Sequence, residues 1–160
     1  MKRALVASGG GAWGAWGGGT IEGLCHVNKQ NYDIFVGSST GVLLSPLTAL
    51  GEMERLKEAY TSVTQKDIFN VNPFNKKGGI SAANAVWRMA IVNPFSKIFL
   101  RKLKPTLGES KPLRETIKIF FKEEDYQKIR EDLGKEIVAV VTNLNTGKVE
   151  HKSSHDYDYE

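Results

Sequence analysis

The chain has 160 residues, 41% of them hydrophobic and 25% charged, with a formal net charge of +4. These proportions belong to a folded globular domain and exclude a collagen-like, mucin-like or generally disordered chain. A single cysteine, Cys25, excludes an intrachain disulfide and a cysteine-rich zinc site, and the longest aliphatic run, Ile137 to Val141, is far too short to span a bilayer.

The positive charge is local. Residues 1–67 hold six basic and six acidic side chains, which cancel, whereas residues 68–108 hold seven basic ones and no acidic one. In chain order, Met1-Lys2-Arg3 before an apolar run opens like a signal peptide. Ser8 and three glycines interrupt that run before it reaches a useful length. Arg3 to Ser8 therefore reads as a first buried strand, in a cytoplasmic protein. Eight of the 16 glycines then lie between Gly9 and Gly23.

The chain continues through Ile21, Leu24 and Val27 to a second apolar run, Tyr32 to Val36. Continuous apolar runs mark strands of a parallel sheet, and strand, glycine loop, helix and strand in that order open an α/β fold. Val42 to Leu50 is apolar nearly all round and predicts a buried helix, with Pro46 best tolerated if it falls in a first turn. Met53, Leu56 and Tyr60 recur at helical spacing, as do Leu113, Ile117, Phe120 and Phe121, predicting two amphipathic helices. Ile137 to Val141 predicts a buried strand, followed by a turn at Asn145-Thr146-Gly147 and a polar extended segment. The expected architecture is a three-layer α/β/α domain over residues 1–160 with a mostly parallel sheet.

Gly9-Gly10-Gly11-Ala12-Trp13-Gly14 satisfies G-x-G-x-x-G between a strand and a helix, which alone points to a dinucleotide site. Such a site needs an acidic residue at the end of the second strand. Asp33 lies at the beginning of that strand instead, and a P-loop reading fails because no lysine follows the loop glycines. The second strand ends in Gly37-Ser38-Ser39-Thr40-Gly41, a G-x-S-x-G between an apolar strand and an apolar helix. That is the context a nucleophile elbow requires: a sharp turn that projects the serine hydroxyl from the sheet edge, with small residues at 37 and 41. The helix beginning near Thr40 directs its positive end at a developing oxyanion, and the glycine loop can present bare N–H groups at the same edge. The plainer reading of Ser39 is a helix N-cap.

Gly-Gly-Gly-x-x-Gly after one strand and Gly-x-Ser-x-Gly after the next together resemble the patatin-like phospholipases, lipid acyl hydrolases. The likeness is specific over residues 3–50 and looser over 110–150, where Pro112-Leu113-Arg114 and Thr142-Asn143-Leu144 fit the family's habit. It implies Ser39 as nucleophile, the N–H groups of Gly10, Gly11 and Thr40 as oxyanion donors, a Ser–Asp dyad, and no metal or cofactor. Two departures stand out. Trp13 replaces the family's usual Lys or Arg in the glycine loop. The dyad aspartate of the family stands in Asp-Gly-Gly or Asp-Gly-Ala, and no Asp-Gly dipeptide occurs here, so the expectation is the front part of such a domain, incomplete at its C-terminus.

The substrate so implied is a phospholipid or other lipid ester. Phe95, Ile98, Phe99 and Leu103 share one helical face and Lys97, Arg101 and Lys104 the opposite one, so residues 95–104 suit peripheral contact with an anionic membrane. No nucleic-acid motif accompanies these charges. The alternative functions are an inactive lipid- or membrane-binding relic of the same fold and a dinucleotide-binding domain. Asp156 and Asp158 are stand-in candidates for the missing base, and His26, His151 and His155 for a Ser–His–Asp triad. Cys25 reads as a small core residue.

Overall fold

The computed structural model describes residues 1–69 and 110–159. The chain divides into two compact units, residues 1–62 with 117–160, and residues 63–116. The first unit holds a four-stranded sheet in the order β1-β2-β3-β4, made of β1 (Ala4–Ala7), β2 (Ile34–Ser38), β3 (Glu136–Asn143) and β4 (Lys148–Ser153). β1, β2 and β3 run parallel, with Ala7 opposite Gly37 and Gly37 opposite Ala139. β4 returns antiparallel. The α/β architecture with a mostly parallel sheet is thus the one the apolar runs predict.

β2 begins two residues later than the apolar run suggests. Asp33 is spent on anchoring: its carboxylate accepts a hydrogen bond from the Arg3 N–H at 2.7 Å, and its own N–H donates to the Arg3 carbonyl at 2.9 Å. The β3–β4 turn is closed by Asn143, whose side-chain oxygen accepts from the Asn145 N–H at 2.9 Å, and by Gly147 at φ 68°.

Helices α1 (Gly14–Ile21), α2 (Thr40–Leu50) and α3 (Met53–Ser62) follow the first two strands. α1 runs on into a wider π-type turn, Glu22–Val27, which the apolar spacing does not reveal. α2 is the most buried of the three, with Gly41, Leu44, Ser45, Leu47, Thr48 and Ala49 all inside. Pro46 sits in its interior rather than its first turn. It removes the N–H that Val42 would otherwise receive. The side chains on either side of it bond back along the helix, Ser45 Oγ to Gly41 at 3.1 Å and Thr48 Oγ1 to Leu44 at 2.7 Å.

Ile21, Leu44, Leu47, Met53 and Leu56 form one core cluster among these helices, with Cys25 packed against it as expected. Phe35, Ala49 and Ile129 form a second, joined by Ile137. Leu5 contributes to both, so the described core stands on the face of the sheet that carries Leu5, Phe35 and Ile137. Val6, pointing the other way, is 73% exposed.

α4 (Gln65–Ile68) lies in the second unit, capped by the Asp67 carboxylate on the Thr64 N–H at 2.8 Å. α5 (Lys111–Phe120) and α6 (Glu123–Gln127) lead back toward β3. The basic amphipathic segment 95–104 lies outside the described residues.

α3 is tied to the α5–α6 corner by an ion pair. Arg55 holds Asp125 through both guanidinium nitrogens, at 3.1 and 2.5 Å, and donates to the Phe120 carbonyl at 2.8 Å. Asp125 also accepts from the Lys122 N–H at 3.0 Å. Burial pushes the Asp125 carboxyl up, but the bonds from Arg55 and Lys122 outweigh it and hold the group below its ordinary value. A carboxyl lowered in the folded state stabilises the fold above its ordinary value, about pH 4, and that contribution is lost as pH falls through the lower, folded value. Asp125→Ala should destabilise the protein by about 2 kcal/mol at neutral pH and flatten this acid limb. Urea melts of the two proteins from pH 7 to pH 3 measure both effects; coincident curves would mean that the pair is energetically idle.

Candidate active site

Ser39 stands at the turn between the carboxyl end of β2 and the start of α2, with φ 51° and ψ −126°. A non-glycine residue at positive φ is strained by about 1–3 kcal/mol and persists only where its surroundings leave it no alternative. Here both sides are fixed. β2 is hydrogen-bonded between β1 and β3, and α2 is buried along most of its length.

The glycines of the turn are required by space. A Cβ on Gly37 would lie 2.4 Å from the Val42 nitrogen, and one on Gly41 would lie 2.1 Å from the Ala7 carbonyl oxygen. Both obstacles are backbone and cannot swing aside. The chain must reverse this tightly for α2 to pass close to the end of β1.

The glycine loop meets the serine at the same edge. A Cβ on Gly9 would stand 2.7 Å from Ser39 Cβ and 3.4 Å from its hydroxyl oxygen. Gly10 follows, then Gly11 at φ 57°, and the turn closes with Trp13 N–H donating to the Gly10 carbonyl at 3.1 Å. Among the described residues the N–H groups of Gly10 and Gly11 donate no hydrogen bond. Gly14 opens α1, and a Cβ there would lie 3.2 Å from Thr40 Cβ. Gly9, Gly14, Gly37, Ser39, Thr40 and Gly41, adjacent to one another only in the fold, thus converge on one edge, with Gly10 and Gly11 in the loop beside them.

Ser39 occupies the N-cap position of α2, but its side chain makes no capping bond. The hydroxyl is not absorbed by the role serine most often has there. Ser39 is exposed, and among the described residues no side chain hydrogen-bonds its hydroxyl. Trp13 is 76% exposed.

The candidate bases lie elsewhere. Asp33 marks the amino end of β2, opposite to Ser39, as its place in the sequence predicts. The β3–β4 hairpin brings Ser153 back beside Val138, toward that same amino end. His155, Asp156 and Asp158 follow from there, and Asp158 pairs with Arg130 at 3.4 Å. His151 is exposed on β4, two strands away from β2. His26 is exposed in the turn after α1. Among the described residues no group of three or more His, Cys, Asp or Glu is arranged to hold a metal ion.

The family model for patatin-like phospholipases matches residues 5–160. The chain belongs to that family. Its members are lipid acyl hydrolases, so lipid is the general class of partner. No curated protein matches the chain at the threshold for significance. The match begins in β1, takes in the glycine loop and the serine turn, and continues beyond β4.

Spacing in the sequence identifies every glycine of this edge, but not Tyr60. Its hydroxyl donates to the Thr40 carbonyl at 3.2 Å, and its ring lies 2.7 Å from where a Gly14 Cβ would be. The only available signal was its place on the apolar face of α3.

The steric argument separates the glycines sharply. Gly41→Ala should cost about 3 kcal/mol or more, or prevent folding, because its Cβ meets backbone. Gly19→Ala, on an exposed part of α1 with nothing within 4 Å of the new Cβ, should stabilise the protein by about 0.5–1 kcal/mol. Chemical denaturation of the two variants gives the comparison, and equal effects would contradict it.

Proposed function

We propose that the chain carries the nucleophile and oxyanion site of a serine acyl hydrolase acting on the carboxylic ester of a phospholipid or other lipid. The observation that carries this reading is Ser39 itself: held at positive φ between a central strand and a buried helix, uncapped, and pressed against a glycine loop. Its hydroxyl oxygen attacks the ester carbonyl. The oxyanion that forms accepts hydrogen bonds from the N–H groups of Gly10, Gly11 and Thr40, helped by the positive end of α2. Collapse of that intermediate expels the alcohol and leaves an acyl-Ser39 ester, which water then hydrolyses.

A serine hydroxyl needs a base to be an effective nucleophile at neutral pH. All six aspartates of the chain are among the described residues. Asp33 is engaged by Arg3, Asp67 by Thr64, Asp125 by Arg55 and Asp158 by Arg130. Asp132 precedes β3 and Asp156 follows β4, near the far edge of the sheet. We therefore assign the activating carboxylate to none of them, in keeping with the absence of an Asp-Gly dipeptide.

A fluorophosphonate probe offered to the complete domain should label Ser39, identified by mass spectrometry of the tryptic peptide. Ser39→Ala should abolish labelling and lower ester turnover by at least about a thousandfold. Undiminished labelling of the alanine variant would exclude Ser39 as the nucleophile.

A further inference from the structure

Three helices meet at one point beside the serine turn. Gly14 opens α1, Thr40 opens α2, and Tyr60 lies near the end of α3. A Cβ on Gly14 would touch both of the others: it would be 2.7 Å from Tyr60 Cε1, 3.2 Å from the Tyr60 hydroxyl and 3.2 Å from Thr40 Cβ. The Tyr60 hydroxyl donates to the Thr40 carbonyl at 3.2 Å. The preceding carbonyl, that of Ser39, accepts from the Val42 N–H at 3.1 Å. The two peptide units that follow Ser39 are therefore each held at the oxygen, one from within α2 and one from α3.

At this junction Gly14 is buried and Thr40 and Tyr60 are half-buried. Thr40 Oγ1 is out of contact with solvent and has no hydrogen-bond partner among the described residues, an uncommon state for a native hydroxyl. The Thr40 side chain leaves its polar capacity unused, so Tyr60 supplies the polar contact that fixes the turn from outside α2. Burial pushes the Tyr60 phenol up to about 12. Its hydroxyl is therefore a permanent donor across the pH range in which an esterase works.

We propose that Tyr60 is a positioning residue for the hydrolase site, acting through the Thr40 carbonyl to hold the first turn of α2 against the start of α1. This rests on the reading of Ser39 as nucleophile and Thr40 N–H as oxyanion donor. The glycine loop leads into α1 and the serine turn leads into α2. Locking the two helix starts together sets the separation between Gly10 and Gly11 on one side and Ser39 and Thr40 on the other. Oxyanion stabilisation is sensitive to just this separation, because a donor counts only at hydrogen-bond distance from where the charge develops.

Tyr60→Phe keeps the ring against Gly14 and removes the donor. In the complete domain, at a temperature where circular dichroism shows both proteins folded, the variant should lower kcat and the rate of fluorophosphonate labelling about tenfold, below the loss for removing an oxyanion donor outright. KM for a short-chain ester should stay within about twofold, because uniform binding is untouched. Amide hydrogen exchange over residues 40–44 should quicken, whether or not the serine reacts. Neither rate profile should acquire a new ionisation between pH 6 and pH 10.

Unchanged exchange in Tyr60→Phe overturns the clamp, and faster exchange with unchanged labelling overturns its role in the chemistry. Labelling that survives Ser39→Ala overturns the nucleophile reading, and with it the catalytic part of the inference, while exchange still reports on the clamp. Should Tyr60→Phe fail to fold, exchange in the unaltered protein serves in its place: residues 40–44 exchanging as fast as the exposed residues of α1 overturn the clamp.

Discussion

The contact on which this arrangement depends is the approach of α2 to the end of β1, where a side chain on Gly41 would overlap the Ala7 carbonyl. Everything else at the edge follows from it. α2 can come this close only if the chain reverses within Gly37 to Gly41, and reversing there forces Ser39 to positive φ. The same closeness sets Gly9, two residues beyond β1, against the serine side chain. One steric fact thus links the strained serine to the loop that follows the neighbouring strand. The strain persists because neither neighbour can relax: β2 is held on both sides by its ladder, and α2 is locked by Leu44, Leu47 and Ala49.

The parts of this arrangement that were legible in the sequence are those with a backbone reason. Glycine appears at 9, 11, 14, 37 and 41 because a Cβ would clash or because φ is positive, and such needs leave a one-letter trace. Parallel strands leave one too, as unbroken apolar runs. What did not show was set by tertiary contact. Nothing local distinguishes Tyr60 from any other inward residue of α3 until α1 and α2 are in place. Pro46 reads as a first-turn proline by propensity, yet packing of α2 keeps it in the interior. The π-type turns at Glu22–Val27 and Lys128–Asp132 carry no periodic signal either.

The charges of the chain are distributed to match. Several of the aspartates here have structural partners: Asp33 joins β2 to Arg3, and Asp125 joins α6 to Arg55. The two segments that build the site carry no ionisable side chain at all, from Ala4 to Ile21 and from Ile34 to Gly51. These two segments therefore meet a charge developing at this edge with backbone dipoles, the loop N–H groups and the start of α2, and not with a side-chain counter-ion of their own.

That neutrality bears on both halves of the proposed chemistry. Backbone N–H groups stabilise an oxyanion without binding a ground-state charge, so they favour the transition state over the neutral ester. A lysine or arginine at position 13 would add a long-range positive field to that edge; Trp13 instead adds an exposed apolar surface beside the loop. The edge so formed suits a substrate whose reacting part is uncharged and whose bulk is hydrocarbon. Among the described residues no side chain takes a hydrogen bond from the Ser39 hydroxyl. The proposed nucleophile and oxyanion donors come from the ends of two consecutive strands whose geometry is closed by their own glycines. On this reading the strained serine and its donors form a self-sufficient structural unit but only half of a catalytic one. Their geometry holds without the carboxylate because steric contact, and not the dyad hydrogen bond, keeps Ser39 in place.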